Sequence, residues 1–476
     1  MDVQKTELSS EQKFIIHKFK EGKNLFITGP GGTGKSVLIR HMVKEAKLQD
    51  KKVDVCALTG CAALLLNCSA KTIHSWAGIG LAKEENSLIA TRIELNGKKR
   101  RNWRKVDVLI IDEVSMMSQK ILELLDLIAK KVRKNVLPFG GIQIVFSGDF
   151  FQLPPVKSRT EDATVNCFCF ESPVWKDVFD PTCQIELTKI FRQKDKKYAK
   201  ILNQIRKATI SKNTCTALQE RVSVKPDENA EITPTVLLPI KRMVEQINNT
   251  SLRAIEEESQ EYSLEKCNED DFALSTTDKA KYMQTPKTIL EGEMKLLMDN
   301  VSCDKKLELR KGAQVMCTVN IDLCSENPIC NGSLGIIKDF DINNNPIVKF
   351  TNGCLKTIGK HIWKSENIAG IGVKQIPLTL AWAITIHKSQ GATLDLAEID
   401  VGTNIFEAGQ TYVALSRVKS LDGLFLKSFD PMKIKVNKKV KHFYEELEKN
   451  KNNTYAEQLK TFIANGETNY KLKLHA

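Results

Sequence analysis

The amino-acid sequence predicts an α/β protein built from two cores with parallel sheets. Near-continuous apolar runs alternate with helical patterns in the first part of the chain, at residues 25–28, 53–58, 106–111 and 142–147. Such runs are typical of strands buried on both faces, as in an open, doubly wound parallel sheet covered by helices. Two later apolar runs, residues 235–239 and 376–385, predict the second core. The length of 476 residues suits such a chain, because one domain usually takes about 100–200 residues.

The segments between the first strands have the pattern of helices that cover a sheet. Apolar residues recur there three and four positions apart, as in Val37, Leu38, Met42 and Val43 and again in Ile121, Leu124, Leu125 and Ile128. This spacing places the apolar side chains on one face of each helix. A third helix is predicted around residues 440–447, in a lysine-rich C-terminal tail.

A long interval of different character separates the two halves of the predicted second core. It is acidic and polar over residues 256–278. Three β-like runs and two turn signals follow, at residues 313–318, 335–337 and 346–350 and at residues 331–332 and 343–345. We expect an inserted domain with a small β-barrel here.

These patterns give the following predicted domains. The first core is predicted at residues 1–180, with a small insertion at about 80–105. The second core is predicted at residues 181–250 and 375–432, and the inserted domain between them at residues 251–374. A basic tail follows at residues 433–476.

Composition limits the possible classes of protein. Lys and Arg outnumber Asp and Glu by 71 to 58, and the formal charge of +13 favours a polyanionic partner or an anionic surface. The 13 cysteines are scattered, with neither a disulfide framework nor paired zinc-ligand spacing, so we expect a reducing intracellular compartment. The first residues have no secretory or transit pattern, and no apolar run of about 18 residues predicts a membrane span.

Residues 29–36 have the sequence G-P-G-G-T-G-K-S, which matches the phosphate-binding pattern G-x-x-x-x-G-K-[ST]. The pattern follows a predicted strand and precedes an amphipathic helix, so its N–H groups and the helix N-terminus are expected to bind phosphate. Lys35 is expected to reach the β- and γ-phosphates, and Ser36 to ligate magnesium. The predicted ATP-binding residues of this loop are Gly29, Pro30, Gly31, Gly32, Thr33, Gly34, Lys35 and Ser36.

Two carboxylates follow another buried run. Asp112 ends the apolar stretch that begins at Val108, and Glu113 comes next. We predict that Asp112 holds the magnesium ion, directly or through water, and that Glu113 takes a proton from the attacking water.

A third motif, G-D-F-F-Q-L-P-P-V at residues 148–156, follows the run 142–147. The amide of Gln152 is suited to contact the γ-phosphate or to orient the water. Phe150 and Phe151 have two possible roles. They either stack on bases or pack against the Pro154-Pro155 turn.

Together these motifs resemble superfamily-1 helicases, and specifically the Pif-one (petite integration frequency) family of the RecD-like branch. The segments L-L-D-L-I-A-K-K-V-R at 124–133 and P-F-G-G-I-Q at 138–143 are similar to that family's signature. Other matching segments lie at residues 8–12, 57–63, 72–76, 187–193, 376–395 and 411–418. The resemblance implies two RecA-like P-loop NTPase cores. In the predicted insertion, residues 310–316 and 330–335 resemble the small barrel of this branch.

The resemblance also assigns site residues. It makes Gln12 the adenine contact, because its amide offers a donor and an acceptor to the base edge. It makes Arg192 and Arg417 two arginine fingers that reach from the second core to the γ-phosphate. On the strand-contacting side, the matching positions are Thr59, Thr72, His74, His387 and Lys388. Phe151 is added to the predicted DNA contacts because its ring could stack on a base.

A basic cluster lies at residues 98–101, followed by Trp103, Arg104 and Lys105. Three interpretations are open: phosphate contacts, a nuclear import patch, or a solvated loop. The cluster falls in the small insertion, where related enzymes have a strand-separating wedge.

The activity implied by the resemblance is that of an ATP-dependent DNA helicase, which moves 5′→3′ on single-stranded DNA and acts in replication, repair or recombination. The expected cofactor is Mg²⁺, and the expected partners are single-stranded, forked or structured DNA and proteins of replication or repair, but no membrane. We expect a monomeric minimal helicase core in the nucleus, or in a viral host's nucleus or cytoplasm. The alternatives are an RNA or RNA–DNA hybrid helicase and a DNA-stimulated ATPase clamp that does not unwind.

Overall fold

A computed structural model describes residues 8–464, apart from residues 67, 69, 81, 157–161, 194, 223, 227–231, 268–270, 302, 322–328, 330, 366–367 and 451–456. Part of the segment 330–335 and the end of the basic tail therefore lie outside the described residues. Two compact units are present. Unit 1 comprises residues 1–218, 405–421 and 430–476, and unit 2 comprises residues 219–404 and 422–429.

The α-helices are α1 (Ser10–Lys20), α2 (Lys35–Leu48), α3 (Gly60–Leu66), α4 (Ile73–Ala77), α5 (Asn86–Leu95), α6 (Arg100–Lys105), α7 (Gln119–Arg133), α8 (Pro173–Val178), α9 (Lys196–Lys207), α10 (Lys212–Val222), α11 (Lys241–Arg253), α12 (Thr276–Gln284), α13 (Lys287–Asn300), α14 (Gln410–Leu415) and α15 (Lys438–Asn450). None of these helices is both long enough and apolar enough to span a membrane, within the part of the chain that the structure describes.

The strands are β1 (Leu25–Thr28), β2 (Val53–Ala57), β3 (Lys71–Thr72), β4 (Val108–Asp112), β5 (Gln143–Ser147), β6 (Gln184–Glu186), β7 (Thr235–Leu238), β8 (Ser259–Ser263), β9 (Glu265–Lys266), β10 (Lys306–Arg310), β11 (Gln314–Cys317), β12 (Leu334–Phe340), β13 (Pro346–Phe350), β14 (Leu355–Thr357), β15 (His361–Lys364), β16 (Gly372–Gln375), β17 (Leu378–Leu380), β18 (Ala383–Thr385), β19 (Ala397–Val401) and β20 (Leu424–Phe429).

Unit 1 contains the predicted parallel sheet. Its six strands have the order β3-β2-β4-β5-β1-β6, and every neighbouring pair is parallel. Successive side chains of a strand point to opposite faces, and both faces are buried. Phe26 packs into one apolar core, while Leu25 and Ile27 pack into the other. The prediction of a sheet covered on both faces is confirmed.

The small insertion at about 80–105 is helical. Residues Ile89 and Ile93 of α5 are buried in the core of unit 1. Trp103 of α6 is also buried, and its indole N–H donates to the Ala77 carbonyl at 3.3 Å. Part of the basic cluster is therefore helical, with one side of α6 packed into the core, while Lys98 and Arg101 are exposed to solvent. All three interpretations of the cluster stay predictions.

The lysine-rich segment forms α15, which extends beyond the predicted helix 440–447 at both ends. Its residues Val440, Tyr444 and Leu447 recur at helical spacing and are buried in the core of unit 1, with Phe443 packed against the same core. Residues 438–450 thus belong to a compact unit rather than to a detached tail.

Unit 2 contains a second parallel sheet, with the order β18-β7-β19-β20. A separate antiparallel sheet has the order β14-β13-β12-β11-β17. The apolar run 376–385, predicted as part of one core, is divided between the two sheets: β17 pairs with β11, and β18 pairs with β7. The predicted β-like runs form strands of this antiparallel sheet. The inserted domain, its closure into a barrel and the predicted domain boundaries remain predictions.

The signature segment 138–143 connects α7 to β5 through left-handed backbone. Phe139, Gly140 and Gly141 all have positive φ, of 49°, 58° and 77°. The Phe139 N–H donates to Asp126 Oδ1 at 2.8 Å, and Arg133 Nε donates to the Gly140 carbonyl at 2.7 Å. A Cβ on Gly140 would lie 2.7 Å from the Ala129 carbonyl oxygen of α7. The segment therefore fixes where β5 starts relative to α7.

Gly140→Ala is expected to destabilise the protein by about 3 kcal/mol. Alanine is strained in the left-handed backbone conformation of this position, and its Cβ would clash with the Ala129 carbonyl. Urea denaturation followed by circular dichroism measures the change. Gly97→Ala is the matched control, since a Cβ there meets nothing within 4 Å and Gly97 has no positive φ. Equal denaturation midpoints for the two variants would contradict this account of the segment.

Candidate nucleotide-binding site

The predicted motifs lie at one edge of the unit 1 sheet. The phosphate-binding loop follows β1, Asp112 ends β4, and the segment with Gln152 follows β5. These strands are parallel and have the order β4-β5-β1, so their carboxyl ends lie side by side. Ligands of open α/β sheets bind at this edge.

Lys35 is half-buried and lies near three carboxylates. Its Nζ donates to the carbonyls of Gly29 and Pro30 at 2.7 and 3.1 Å. Burial lowers the pKa of Lys35, and the negative charges of Asp149, Glu113 and Asp112 oppose this effect. The loop therefore presents a desolvated cation where the pattern predicts phosphate.

Asp112 and Glu113 lie at the end of β4, as predicted. Asp112 is buried, and its burial raises its pKa above the usual range, while the positive charge of Lys35 acts in the opposite direction. Glu113 has a left-handed backbone, with φ of 57° and ψ of 38°. Non-glycine residues seldom adopt this conformation, and it is found at functional sites.

Gln152 is buried in a turn that begins at Asp149. The Gln152 N–H donates to the Asp149 carbonyl at 2.8 Å, and the Phe151 N–H donates to Asp149 Oδ1 at 3.2 Å. Arg206 of α9 donates twice to the same carboxylate, from Nε and Nη2, each at 2.9 Å. A buried ion pair thus holds the turn that positions Gln152.

Gln12 lies beside the phosphate-binding loop. Its Nε2 donates to the Thr33 carbonyl at 3.3 Å, and its Oε1 accepts from the Ser9 N–H at 3.0 Å. Ser9 Oγ accepts from the Gln12 N–H in return, which completes a capping box at the start of α1. The helix cap therefore fixes the amide that the sequence assigns to adenine.

Phe191 is a neighbour of this amide that sequence reasoning missed. A Cβ placed on Gly34 would lie 2.8 Å from Gln12 Nε2 and 3.7 Å from the Phe191 ring. The Gln12 amide and the Phe191 ring therefore both lie next to Gly34 of the phosphate-binding loop. The Phe191 N–H donates to the Gly32 carbonyl at 2.8 Å, and the side chain is 45% exposed. An exposed aromatic residue directly before Arg192 was the available signal.

Arg192 and Arg417 also lie at the loop, within unit 1. Arg192 Nη1 donates to the Ser416 carbonyl at 3.5 Å. Arg417 donates from Nε to the Val413 carbonyl at 2.8 Å and from Nη2 to Ser416 Oγ at 2.7 Å. Burial and the charge of Arg192 lower the pKa of Arg417 to about 10, and burial lowers the pKa of Arg192. Two desolvated guanidinium groups therefore lie close together.

The helix before Arg417 contacts two of the motifs. The Tyr412 hydroxyl accepts from the Gly31 N–H at 2.9 Å. Gly409, which precedes α14, has φ of 82°, and a Cβ there would lie 2.4 Å from the Gln152 carbonyl oxygen. Only glycine fits this close approach, which brings the segment with Arg417 onto the turn with Gln152.

Phe150 and Phe151 do not present free ring faces. Both are buried. The Phe151 ring stacks on Tyr444 at 4.4 Å between centroids, and the Arg206 guanidinium lies 4.6 Å from the Phe151 centroid. The predicted base stacking by Phe151 is therefore corrected to a packing role, in which its ring stacks on Tyr444.

Three predicted strand-contacting residues of unit 1 lie near the carboxyl ends of β2 and β3, which are paired. Thr59 Oγ1 accepts from the Ala62 N–H at 3.2 Å, and Thr72 Oγ1 caps α4 by accepting from the Ser75 N–H at 3.3 Å. Burial lowers the pKa of His74, which favours the neutral imidazole.

Two more of the predicted strand-contacting residues, His387 and Lys388, lie in unit 2 shortly after the end of β18. Both side chains are exposed. The Lys388 N–H donates to Thr385 Oγ1 at 3.1 Å, and its Nζ lies 3.9 Å from Asp304 Oδ1. They occupy the carboxyl edge of the second parallel sheet.

The residues predicted to hold Mg²⁺ are chemically suitable. Ser36 supplies a hydroxyl in the first turn of α2, and Asp112 supplies a buried carboxylate. Mg²⁺ prefers oxygen ligands of this kind, usually one or two from the protein together with phosphate oxygens and water.

Comparison with known proteins agrees with this geometry. The family model of the PIF1-like helicases matches residues 7–215. An ATP-dependent DNA helicase PIF1 of Xenopus laevis is 34% identical over 450 residues, which are 93% of this chain and 65% of that protein. The chain thus spans somewhat less than two thirds of the length of that curated relative.

Solved structures of Pif1 helicases match along almost their whole length. The crystal structure of Pif1 helicase from Candida albicans is 34% identical with a TM-score of 0.73, over 93% of this chain and 99% of that one. The Bacteroides Pif1 helicase in complex with ADP-AlF3 and ssDNA is 29% identical with a TM-score of 0.65, over 97% and 98%. This chain belongs to the PIF1-like helicase family.

Proposed function

We propose that the protein is an ATP-dependent DNA helicase that moves 5′→3′ on single-stranded DNA and unwinds duplex or structured DNA. The observation that supports this most is the set of charges at the phosphate-binding loop. Glu113 lies within electrostatic reach of Lys35, Arg192 and Arg417. Three desolvated cations facing one candidate base are suited to hydrolyse a bound nucleoside triphosphate.

In the proposed site, Lys35 contacts the β- and γ-phosphates after leaving the Gly29 and Pro30 carbonyls. The N–H groups of residues 29–36 surround the phosphates. Ser36 and Asp112 would hold Mg²⁺, which when bound supplies charge neutralisation for the phosphates. Gln12 contacts the edge of the adenine base, and the base stacks on the exposed ring of Phe191.

Glu113 accepts the proton of the attacking water in this proposal, and Gln152 orients that water or contacts the γ-phosphate. Arg192 and Arg417 stabilise the negative charge of the transferring phosphoryl group. Binding phosphate also relieves the unfavourable burial of these two cations.

The proposed DNA-contacting residues are Thr59, Thr72 and His74 of unit 1 and His387 and Lys388 of unit 2. Each unit presents these groups at the carboxyl edge of its parallel sheet. The Bacteroides relative was solved with ssDNA, which supports single-stranded DNA as the ligand. We infer action inside the cell, in the nucleus, with forked or structured DNA as substrate and proteins of replication or repair as partners.

Lys35→Ala is expected to abolish ATP hydrolysis and to leave binding of single-stranded DNA measurable, because the lost charge is at the phosphates. ATPase assays and fluorescence anisotropy with a labelled oligonucleotide measure the two effects. Lys47→Ala, an exposed lysine at the other end of α2, should behave as wild type. Equal loss of hydrolysis and DNA binding in Lys35→Ala would count against the assignment.

Glu113→Gln is expected to bind ATP normally and to hydrolyse it at least about a hundredfold more slowly, because the amide cannot accept the proton. Equilibrium binding of a fluorescent ATP analogue and single-turnover hydrolysis separate the two steps. Near-normal turnover would remove Glu113 as the base.

Strand displacement tests the helicase proposal itself. We expect the protein to unwind a duplex with a 5′ single-stranded tail and to leave the same duplex with a 3′ tail intact. Stimulation of ATP hydrolysis by DNA and by RNA of equal sequence is measured alongside. Unwinding of only the 3′-tailed duplex would refute the direction, stronger stimulation by RNA would favour an RNA or hybrid helicase, and stimulated hydrolysis without unwinding would favour a clamp.

A further inference from the structure

The hydroxyl of Tyr444, in α15, lies between the ends of β1 and β5. It is 2.5 Å from Thr28 Oγ1, the last residue before the phosphate-binding loop. It is also 3.2 Å from Asp149 Oδ1 and 3.2 Å from the Phe150 nitrogen, both in the turn that positions Gln152. One side-chain atom therefore joins the residue before the phosphate-binding loop to the turn that bears Gln152.

Chemistry fixes the direction of these hydrogen bonds. The Asp149 carboxylate, paired with Arg206, can only accept, so the Tyr444 O–H donates to it. The Phe150 N–H can only donate, so the Tyr444 oxygen accepts from it. A hydroxyl has one proton, and Thr28 must therefore donate its own to Tyr444. The chain runs from Thr28 through Tyr444 to Asp149, with every capacity of the tyrosine hydroxyl used.

The Tyr444 ring is held separately from its hydroxyl. It stacks on Phe151, and the Arg206 guanidinium lies 5.2 Å from its centroid. Arg206 also donates from Nη1 to Glu186 Oε1 at 2.9 Å, so it joins β6 to the same cluster. Burial raises the pKa of Tyr444. The ring contacts do not depend on the hydroxyl, so its removal is expected to leave α15 packed.

We propose that Tyr444 is a positioning residue for ATP hydrolysis: its hydroxyl fixes the turn that bears Gln152 relative to the phosphate-binding loop. This inference rests on the proposed function, because Gln152 must act on the γ-phosphate or the attacking water for its position to matter. Tyr444 lies 295 residues after Asp149 in the sequence.

A positioning role and a purely structural role predict different kinetics. If the hydroxyl sets the place of Gln152, its loss slows the chemical step and leaves the contacts of Gln12 and the loop with ATP. If it contributes only to stability, its loss lowers the melting temperature and leaves the kcat of the folded enzyme unchanged. The kcat of the folded enzyme, measured together with its melting temperature and with KM for ATP, therefore distinguishes the two.

Tyr444→Phe in the full chain tests the proposal. We expect DNA-stimulated kcat to fall about tenfold, KM for ATP to change less than about threefold, and DNA affinity to stay the same. Thr28→Val should reproduce the loss, because it removes the donor and keeps the shape, while Thr28→Ser should restore activity. The double variant Thr28→Val with Tyr444→Phe should be no slower than either single variant, since both break one chain of hydrogen bonds.

The matched control is Tyr262→Phe in unit 2, which removes a hydroxyl that donates to the Asn344 carbonyl at 2.6 Å. It should keep wild-type kcat. The proposal is overturned if Tyr444→Phe keeps kcat within about twofold of wild type while Gln152→Ala lowers it, or if the losses of the double variant multiply. If Tyr444→Phe does not fold, the Thr28→Val and Thr28→Ser pair decides. A wild-type protein without ATPase activity would instead refute the proposed function.

Discussion

The arrangement of the site depends on the ion pair between Asp149 and Arg206, whose side chains are almost completely buried, at 0% and 1% exposure. Such a pair adds little net stability, because desolvation offsets most of the attraction, but loss of one partner leaves a buried charge and costs about 3–5 kcal/mol. Arg206 therefore has to meet Asp149 whenever unit 1 folds. This constraint fixes α9 against the end of β5, and with it the turn that bears Gln152.

The same physics explains why the loop is ready for a polyphosphate. Burial disfavours the charged forms of Lys35, Arg192 and Arg417, and each of the three has a lowered pKa. Nearby carboxylates compensate only in part, since the two guanidinium groups also repel each other. A triphosphate offers the missing negative charge. Binding and stability are thus coupled, because the ligand removes a strain that the folded protein otherwise retains.

Much of this site could be predicted from sequence, since the phosphate loop, Asp112, Glu113 and Gln152 each follow a run of apolar residues that marks a buried strand. Contacts between segments that are distant in the sequence could not be predicted in this way. Nothing local to Arg206 or Tyr444 indicates that they meet Asp149. The apolar run 376–385 has no internal signal that divides it. Its division between two sheets follows from its pairing partners, which are β11 for β17 and β7 for β18. Phe151 was assigned to bases because an aromatic face suits a base and a core equally.

Unit 1 is assembled from three separate stretches, residues 1–218, 405–421 and 430–476. The last two supply Arg417 and Tyr444, while the loop and its carboxylates come from the first. Closing such long intervals is slow, because loop entropy must be overcome before the contacts form. The polar parts of the site are therefore completed only after the segments beyond residue 404 have packed. The aromatic contacts of α15 with Phe151 and Phe170 supply an apolar driving force for that step.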